Sequence, residues 1–226
     1  MLAPIFLSIY GTVSALTPAT LGGLKSRIAR DLVRSDLTDD IVDVIPECIR
    51  EVAAYRFWFN EVRGLTFNTV AGQSYYGSGS LADLAWLSDI DAVWIIVNGQ
   101  RRNLAPASVD ELDSLLDGSP SNGEPYLYAR QANGLRLYPT PDRVYPVNLD
   151  GVSRLSPLVD DTDTNAWLTE GEPMIRALAK AKLMESPVDN PERAARFRAI
   201  YVNERTELLN QTDTRHSINT MATFGV

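Results

Sequence analysis

The hydrophobic period of this chain changes twice, and nothing else in the sequence restricts its fold as strongly. Up to about residue 60, apolar side chains recur every three or four positions, the spacing of one helix face. From Leu65 to Leu155 they alternate or run in short blocks between turn dipeptides, as antiparallel strands do. From Met174 the helical spacing returns. A strand block between two helical segments predicts an α+β fold: an N-terminal helical hairpin and C-terminal helices packed together, with an inserted antiparallel β unit. Neither helical piece could cover its apolar face alone.

The first helix is expected over residues 20–34, with Leu21, Leu24, Ile28 and Leu32 inward, and Ser35-Asp36-Leu37 as the turn of the hairpin. The second is expected from Thr38 to Asn60. Its seam is Ile41, Ile45, Cys48, Val52, Tyr55 and Phe59, spaced four, three, four, three and four. Thr38 is the expected cap, and Asp39 and Asp40 suit the positive end of the dipole. Pro46 removes a helical N–H, which predicts a kink or a delayed start. Phe57 and Trp58 fall off the seam, so this helix must meet something on a second side.

In the β unit, Leu65, Phe67 and Thr69 alternate with polar neighbours, and Ala71-Gly72-Gln73 predicts a hairpin into Ser74-Tyr75-Tyr76. Gly77-Ser78-Gly79-Ser80 lacks the Gly-Lys-Ser/Thr ending of a phosphate loop and is expected to be a flexible connection. Asn98-Gly99 and Asn133-Gly134 mark two further hairpins. Ser108 and Glu111 form a capping box opening a short helix, and residues 145–155 form the last strand, for about six strands in all. The returning helix takes Pro173 in its first turn and stops at Pro187. The last runs from Asn190-Pro191-Glu192 to about Gln211, with Ala194, Phe197, Tyr201 and Leu208 inward. The expected units are an extension over 1–19, the helical hairpin over 20–62, the β unit over 63–158, the C-terminal helices over 159–212 and an extended tail over 213–226.

Composition narrows the chemistry. A formal charge of −8 argues against gripping phosphates, which needs basic surface, and suits a wall past which nucleic acid slides. The one cysteine, Cys48, excludes an intrachain disulfide framework and lies on the apolar seam. The one histidine, His216, lies in a polar terminal stretch, which disfavours zinc sites and Ser-His-Asp or Cys-His machinery. Residues 1–16 are apolar with Val13-Ser14-Ala15 near their end. They lack a basic n-region and are interrupted by Pro4 and Gly11, so an extension docked on a neighbour is expected over a signal peptide.

Two constellations resemble sites. Asp161, Asp163, Asn165 and Glu172 stand at the first, third, fifth and twelfth places of a calcium loop, with Leu168 at the apolar eighth. Ala166 replaces the glycine of the sharp turn, and the favoured reading is a solvated turn that caps the returning helix and tucks Trp167 inward. Tyr75, Tyr76, Tyr126, Tyr128 and Tyr138 could stack on sugars, although cross-strand aromatic pairing explains them as well. No pair of carboxylates is singled out for hydrolysis, so neither a catalytic residue nor a cofactor is expected. Arg193, Arg196, Arg198 and Arg205 are balanced by Glu192, Glu204 and Glu207, as on a salt-bridged face or a subunit contact.

Six segments in order then carry a resemblance. They are Thr20-Leu21-Gly22-Gly23-Leu24-Lys25-Ser26-Arg27-Ile28-Ala29-Arg30-Asp31-Leu32, Arg56-Phe57-Trp58-Phe59-Asn60-Glu61, Thr69-Val70-Ala71-Gly72-Gln73, Asn98-Gly99, Leu135-Arg136-Leu137-Tyr138-Pro139-Thr140-Pro141-Asp142 and Asp161-Thr162-Asp163-Thr164-Asn165-Ala166-Trp167. Over residues 20–212 the chain resembles the head–tail adaptor (connector) proteins of tailed bacteriophages. The resemblance implies a non-enzymatic virion protein, assembled in the host cytoplasm. It would form a ring of itself, commonly of twelve copies, below the portal protein, and would offer a platform to a tail protein (nozzle, stopper or tail terminator). DNA would pass through the lumen without specific binding, and no membrane is involved. On this reading Phe57, Trp58, Arg193, Arg196 and Tyr201 serve the subunit interface, and Arg215, His216, Ile218, Met221 and Phe224 of the tail meet the portal. The alternative is a carbohydrate-binding or hydrolytic tail protein.

Overall fold

The computed structural model describes residues 19–77, 84, 87–118 and 121–221, with side chains through Ser217. The helices are α1 (Leu21–Leu32), α2 (Thr38–Val52), α3 (Val109–Gly118), α4 (Ala166–Thr169), α5 (Glu172–Glu185) and α6 (Pro191–Met221). The strands are β1 (Glu61–Asn68), β2 (Tyr75–Tyr76), β3 (Leu87–Val97), β4 (Gln100–Pro106), β5 (Asn122–Gly123), β6 (Leu127–Gln131), β7 (Gly134–Tyr138), β8 (Thr140–Pro141) and β9 (Pro146–Ser153). Helices from both ends of the chain share one apolar core: Leu24 and Ile28 of α1, Ile45 and Cys48 of α2, Leu178 of α5 and Tyr201 of α6 all contribute to it. The fold is α+β, as the two changes of period predict.

Local chemistry sets the helix ends. The Thr20 hydroxyl oxygen accepts from the Gly23 N–H at 3.2 Å and opens α1, which closes on Val33 in the left-handed region at φ 55°. The cap of α2 differs from the expectation. Leu37 occupies the N-cap, and the Thr38 hydroxyl donates back to the Ser35 carbonyl instead. Pro46 lies inside α2, which starts at Thr38 without delay. Pro46 itself is exposed while Ile45 and Cys48 are buried, so packing on the seam offsets the lost N–H.

The expected seam runs two turns too far. Helix α2 stops at Val52, and residues 53–60 form a tight loop, so Tyr55 and Phe59 reach the core from irregular backbone. Asn60 holds that loop: it is buried, its Oδ1 accepts from the Phe57 N–H at 2.8 Å, and its Nδ2 donates to the Tyr55 carbonyl at 3.1 Å. A buried amide satisfied on both sides is an internal clamp that substitutes for helical hydrogen bonds.

The main sheet has the order β1-β9-β3-β4-β6-β7-β2 and is antiparallel except where β4 meets β6. A separate parallel pair joins β5 to β8. The Asn98-Gly99 hairpin forms as the dipeptide predicts, with both residues at positive φ and Val97 opposite Gln100. The second hairpin turns one residue earlier than its dipeptide suggests. Gln131 pairs with Gly134, so Ala132 and Asn133 make the turn and Gly134 opens β7. Gly134 is needed there because a Cβ would come within 2.6 Å of the Tyr75 hydroxyl and the Tyr76 carbonyl. The expected hairpin across Ala71-Gly72-Gln73 does not form: β1 pairs with β9, and β2 pairs with β7 on the far edge of the sheet. Alternation located these strands correctly but could not name their partners, which lie more than sixty residues away.

The last correction concerns the C-terminus. Helix α6 continues to Met221, ten residues beyond the expected end at Gln211, so the stretch read as an extended tail is largely helical.

Candidate interaction site

The extra turns of α6 reach the loop at 53–60, where the helical core meets the sheet. Buried Thr212 is the pivot. Its Oγ1 accepts from the Trp58 N–H at 3.1 Å, and its hydroxyl donates to the Leu208 carbonyl one turn back at 2.9 Å. One turn further on, the Arg215 guanidinium lies 3.6 Å from the centre of the Trp58 ring. Beside it His216 Nε2 is 3.0 Å from Glu61 Oε2 on the first residue of β1. On the other side of the loop, Arg56 pairs with Asp91 of β3 at 2.5 Å, and the Ser153 N–H of β9 donates to the Asn60 carbonyl at 2.8 Å. One eight-residue loop is thus tied to α6, β1, β3 and β9.

The aromatic residues inside this loop face the helical core. Phe57 is 0% exposed, stacks on Phe59 at 5.3 Å between centroids, and meets Trp167 edge-on at 5.9 Å. Tyr201 is 4% exposed, beneath the Arg205 guanidinium at 5.4 Å. Both belong to the expected interface set, yet neither ring offers surface to a second subunit. Of that set, Trp58 is half-buried under Arg215, while Arg193 and Arg196 are exposed on the first two turns of α6. Further along the same helix Ile200 and Val202 are exposed apolar residues. Among the expected portal contacts, Arg215 and His216 sit on the loop just described. Met221 ends α6, the side chains of Ile218 and Met221 lie outside the described ones, and Phe224 lies outside the described residues altogether.

The acidic loop is a brace for α1. The carbonyls of Asp163 and Asp161 accept from the Leu21 and Gly22 N–H groups at 3.0 and 2.9 Å, two of the donors a helix start leaves free. Asp161 pairs with Lys25 at 2.7 Å, and Glu172 pairs with Arg27 at 3.1 Å and Arg176 at 3.4 Å. Asp163 Oδ2 accepts from the Val159 and Asp160 N–H groups, both at 2.8 Å, and these bonds hold its carboxyl below the usual carboxylate range. Asn165 caps α4 through the Trp167 N–H at 3.0 Å, which seats Trp167 in the core. The carboxylates proposed for calcium are therefore committed to cations, N–H groups and a helix start. Among the described residues no cluster of three His, Cys, Asp or Glu side chains could hold a metal ion.

The tyrosines divide likewise. Tyr76, Tyr128 and Tyr138 are buried, which leaves only Tyr75 and Tyr126 of the five as exposed rings. The Tyr76 hydroxyl is spent on the Val70 and Gln73 carbonyls at 3.2 and 2.6 Å. A sugar-stacking platform needs adjacent open rings, and the sheet does not present one here. Cys48 is fully buried, and burial pushes its thiol up to about 12, so it holds no thiolate at neutral pH. No described helix is long and apolar enough to cross a membrane.

Sequence reasoning missed the contact between α6 and the loop. The signal was present, since Leu208, Thr212 and Arg215 recur at helical spacing. It was masked because the face they cover is a tryptophan and a carboxylate, which polar side chains serve as well as apolar ones.

Comparison with curated proteins returns no match. A family model described as SU10 adaptor protein matches residues 19–223, a span that takes in the α1 start, the aromatic loop, the whole sheet and the helical end of α6. The chain belongs to the SU10 adaptor protein family, and it is a phage adaptor protein.

Proposed function

We propose that this adaptor assembles as a closed ring of identical copies, twelve by the resemblance, between the portal at the capsid vertex and the first tail protein. DNA would cross its lumen without specific contacts. The observation that carries this reading is the family match over residues 19–223, on a chain whose buried polar groups are spent on structure. A ring closes through heterologous contacts, in which one surface of a copy meets a different surface of the next. The outer face of α6 is suited to one side of such a contact: Arg193, Arg196, Ile200 and Val202 are exposed along it. Trp58, Phe57 and Tyr201 would act by holding α6 and its loop in place.

The tail beyond the brace, from Arg215 and His216 through Ile218, Met221 and Phe224, is the portal-facing element of the proposal. An acidic chain suits a lumen that repels the phosphate backbone. Electron microscopy of the protein mixed with purified portal tests the reading. Rings seated on the portal are the expected result. A protein that stays monomeric with portal present, or binds it equally well after truncation behind Asp213, would overturn the ring or the tail assignment respectively.

A further inference from the structure

A groove of about 790 Å³ runs along α2, between the start of α1 and residues 154–159. Its walls are apolar and open to solvent. Val42 is 42% and Val159 is 74% exposed, and Ile49, Leu155 and Leu158 are half-buried beside them. An apolar trough of this kind on a chain this polar calls for a cover. Two guanidiniums stand on its rim, Arg50 and Arg154, both exposed and neither in an ion pair among the described residues.

The described chain begins at the edge of this groove. Ala19 packs against the helical core, its carbonyl accepts from the Thr164 hydroxyl at 2.8 Å, and Leu21, two residues on, is part of the groove wall. The residues before it are Met1 to Pro18, with Leu2, Ile5, Phe6, Leu7, Ile9, Tyr10, Val13 and Leu16, and not one Asp, Glu, Lys or Arg side chain. From Val42 to Ala53 the groove floor rises about 17 Å, which about five extended residues cover. Eighteen residues are ample to leave Ala19, reach the groove and fill it.

We propose that residues 1–18 of the same chain lie in this groove, with their apolar side chains against Val42, Ile49, Leu158 and Val159. Arg50 and Arg154 would donate to main-chain carbonyls of the segment. An uncharged segment suits these arginines: its carbonyls need donors and it brings no carboxylate of its own. Tethering through Ala19 gives the segment a local concentration in the millimolar range, above that of any free copy. The inference is independent of portal binding and of ring closure.

A photo-crosslinking experiment on the full chain tests it. Val159→Cys is labelled with a benzophenone maleimide, and Tyr126→Cys, on the β unit, is the control. Buried Cys48 stays unlabelled in both. After irradiation, the Val159 probe is expected to give a monomer-sized product whose adduct maps by mass spectrometry to residues 1–18, with no such adduct from the Tyr126 probe. Adducts in dimers would assign the groove to a second copy, and an adduct elsewhere, or none, would leave the segment outside it; each overturns the proposal. As a second readout, removing residues 1–18 is expected to raise the fluorescence of an apolar dye severalfold while the far-ultraviolet circular dichroism stays folded. Unchanged dye binding counts against the proposal.

Discussion

Thr212→Val is the most direct probe of the α6 extension. Valine keeps the shape and the β-branching of threonine, so neither packing nor helix propensity changes much. What it removes is the oxygen that accepts from the Trp58 N–H at 3.1 Å. Thr212 is buried, so no water enters to replace that oxygen, and leaving a donor unpaired costs about 1–3 kcal/mol. For a chain of this size each kcal/mol moves the Tm by about 2–4 °C, which gives a fall of about 2–12 °C. The substitution also removes a bond from the hydroxyl to the Leu208 carbonyl, and Thr214 supplies the control for that. Its hydroxyl donates to the Asn210 carbonyl at 2.8 Å in the same way, but the side chain is exposed and touches no other element. Thr214→Val should therefore shift stability by no more than about 0.5 kcal/mol. Differential scanning calorimetry of the two variants beside the parent isolates the Trp58 contact. Equal melting temperatures for the two would mean that this end of α6 does not bear on the loop, and the account of the junction would fall.

Other perturbations follow from single contacts. Val33→Gly should stabilise by about 1 kcal/mol, because a β-branched residue sits at φ 55° while 87% exposed, so glycine relieves strain and uncovers nothing; chemical denaturation reads the gain. Gly151→Ala should destabilise by about 1–3 kcal/mol in the same assay, since its Cβ would stand 2.2 Å from the Asp89 carbonyl oxygen on β3. Asp163→Ala should lower the Tm at neutral pH and not in strong acid. The folded-state pKa of Asp163 is depressed, so its contribution is present above the unfolded value near about 3.9 and is lost as pH falls through the folded value. Melting curves from pH 7 to pH 2 should show parent and variant converging.

The helical part of the fold was readable because each helix buries one stripe. Leu21, Leu24, Ile28 and Leu32 are all buried on α1, and Ile41, Ile45, Cys48 and Val52 on α2, as their spacing demands. The seam misled only where it continued into Tyr55 and Phe59. Apolar spacing records which side chains reach the core, and both do, but it is blind to an amide such as Asn60 that lets the backbone leave the helix and still deliver them. Strand positions were readable for the same reason, since alternation is local. Partner choice was not, because β1 with β9 and β2 with β7 are set by which sheet edge each strand can reach.

The interaction residues divide along the same physical line. A sequence shows that Phe57 and Tyr201 are large and apolar enough to need covering, but not whether the cover is the chain's own core or another copy. The structure assigns both to the core, through Trp167 and Arg205. Arg193 and Arg196 were picked from a charge pattern and remain on the surface, where an ion pair with a neighbour would add about 0–1 kcal/mol at most. Ring closure in this chain therefore has to draw on apolar contact along α6, at Ile200 and Val202, more than on charge. The arginines then fix register, since like charges brought opposite one another repel wrongly rotated copies. Ile200→Asp and Arg196→Glu separate the two roles in a mass-photometry titration with portal. The first should abolish rings at any concentration, and the second should leave them formed but sensitive to salt. The reverse pattern would place the closing contact elsewhere than on α6.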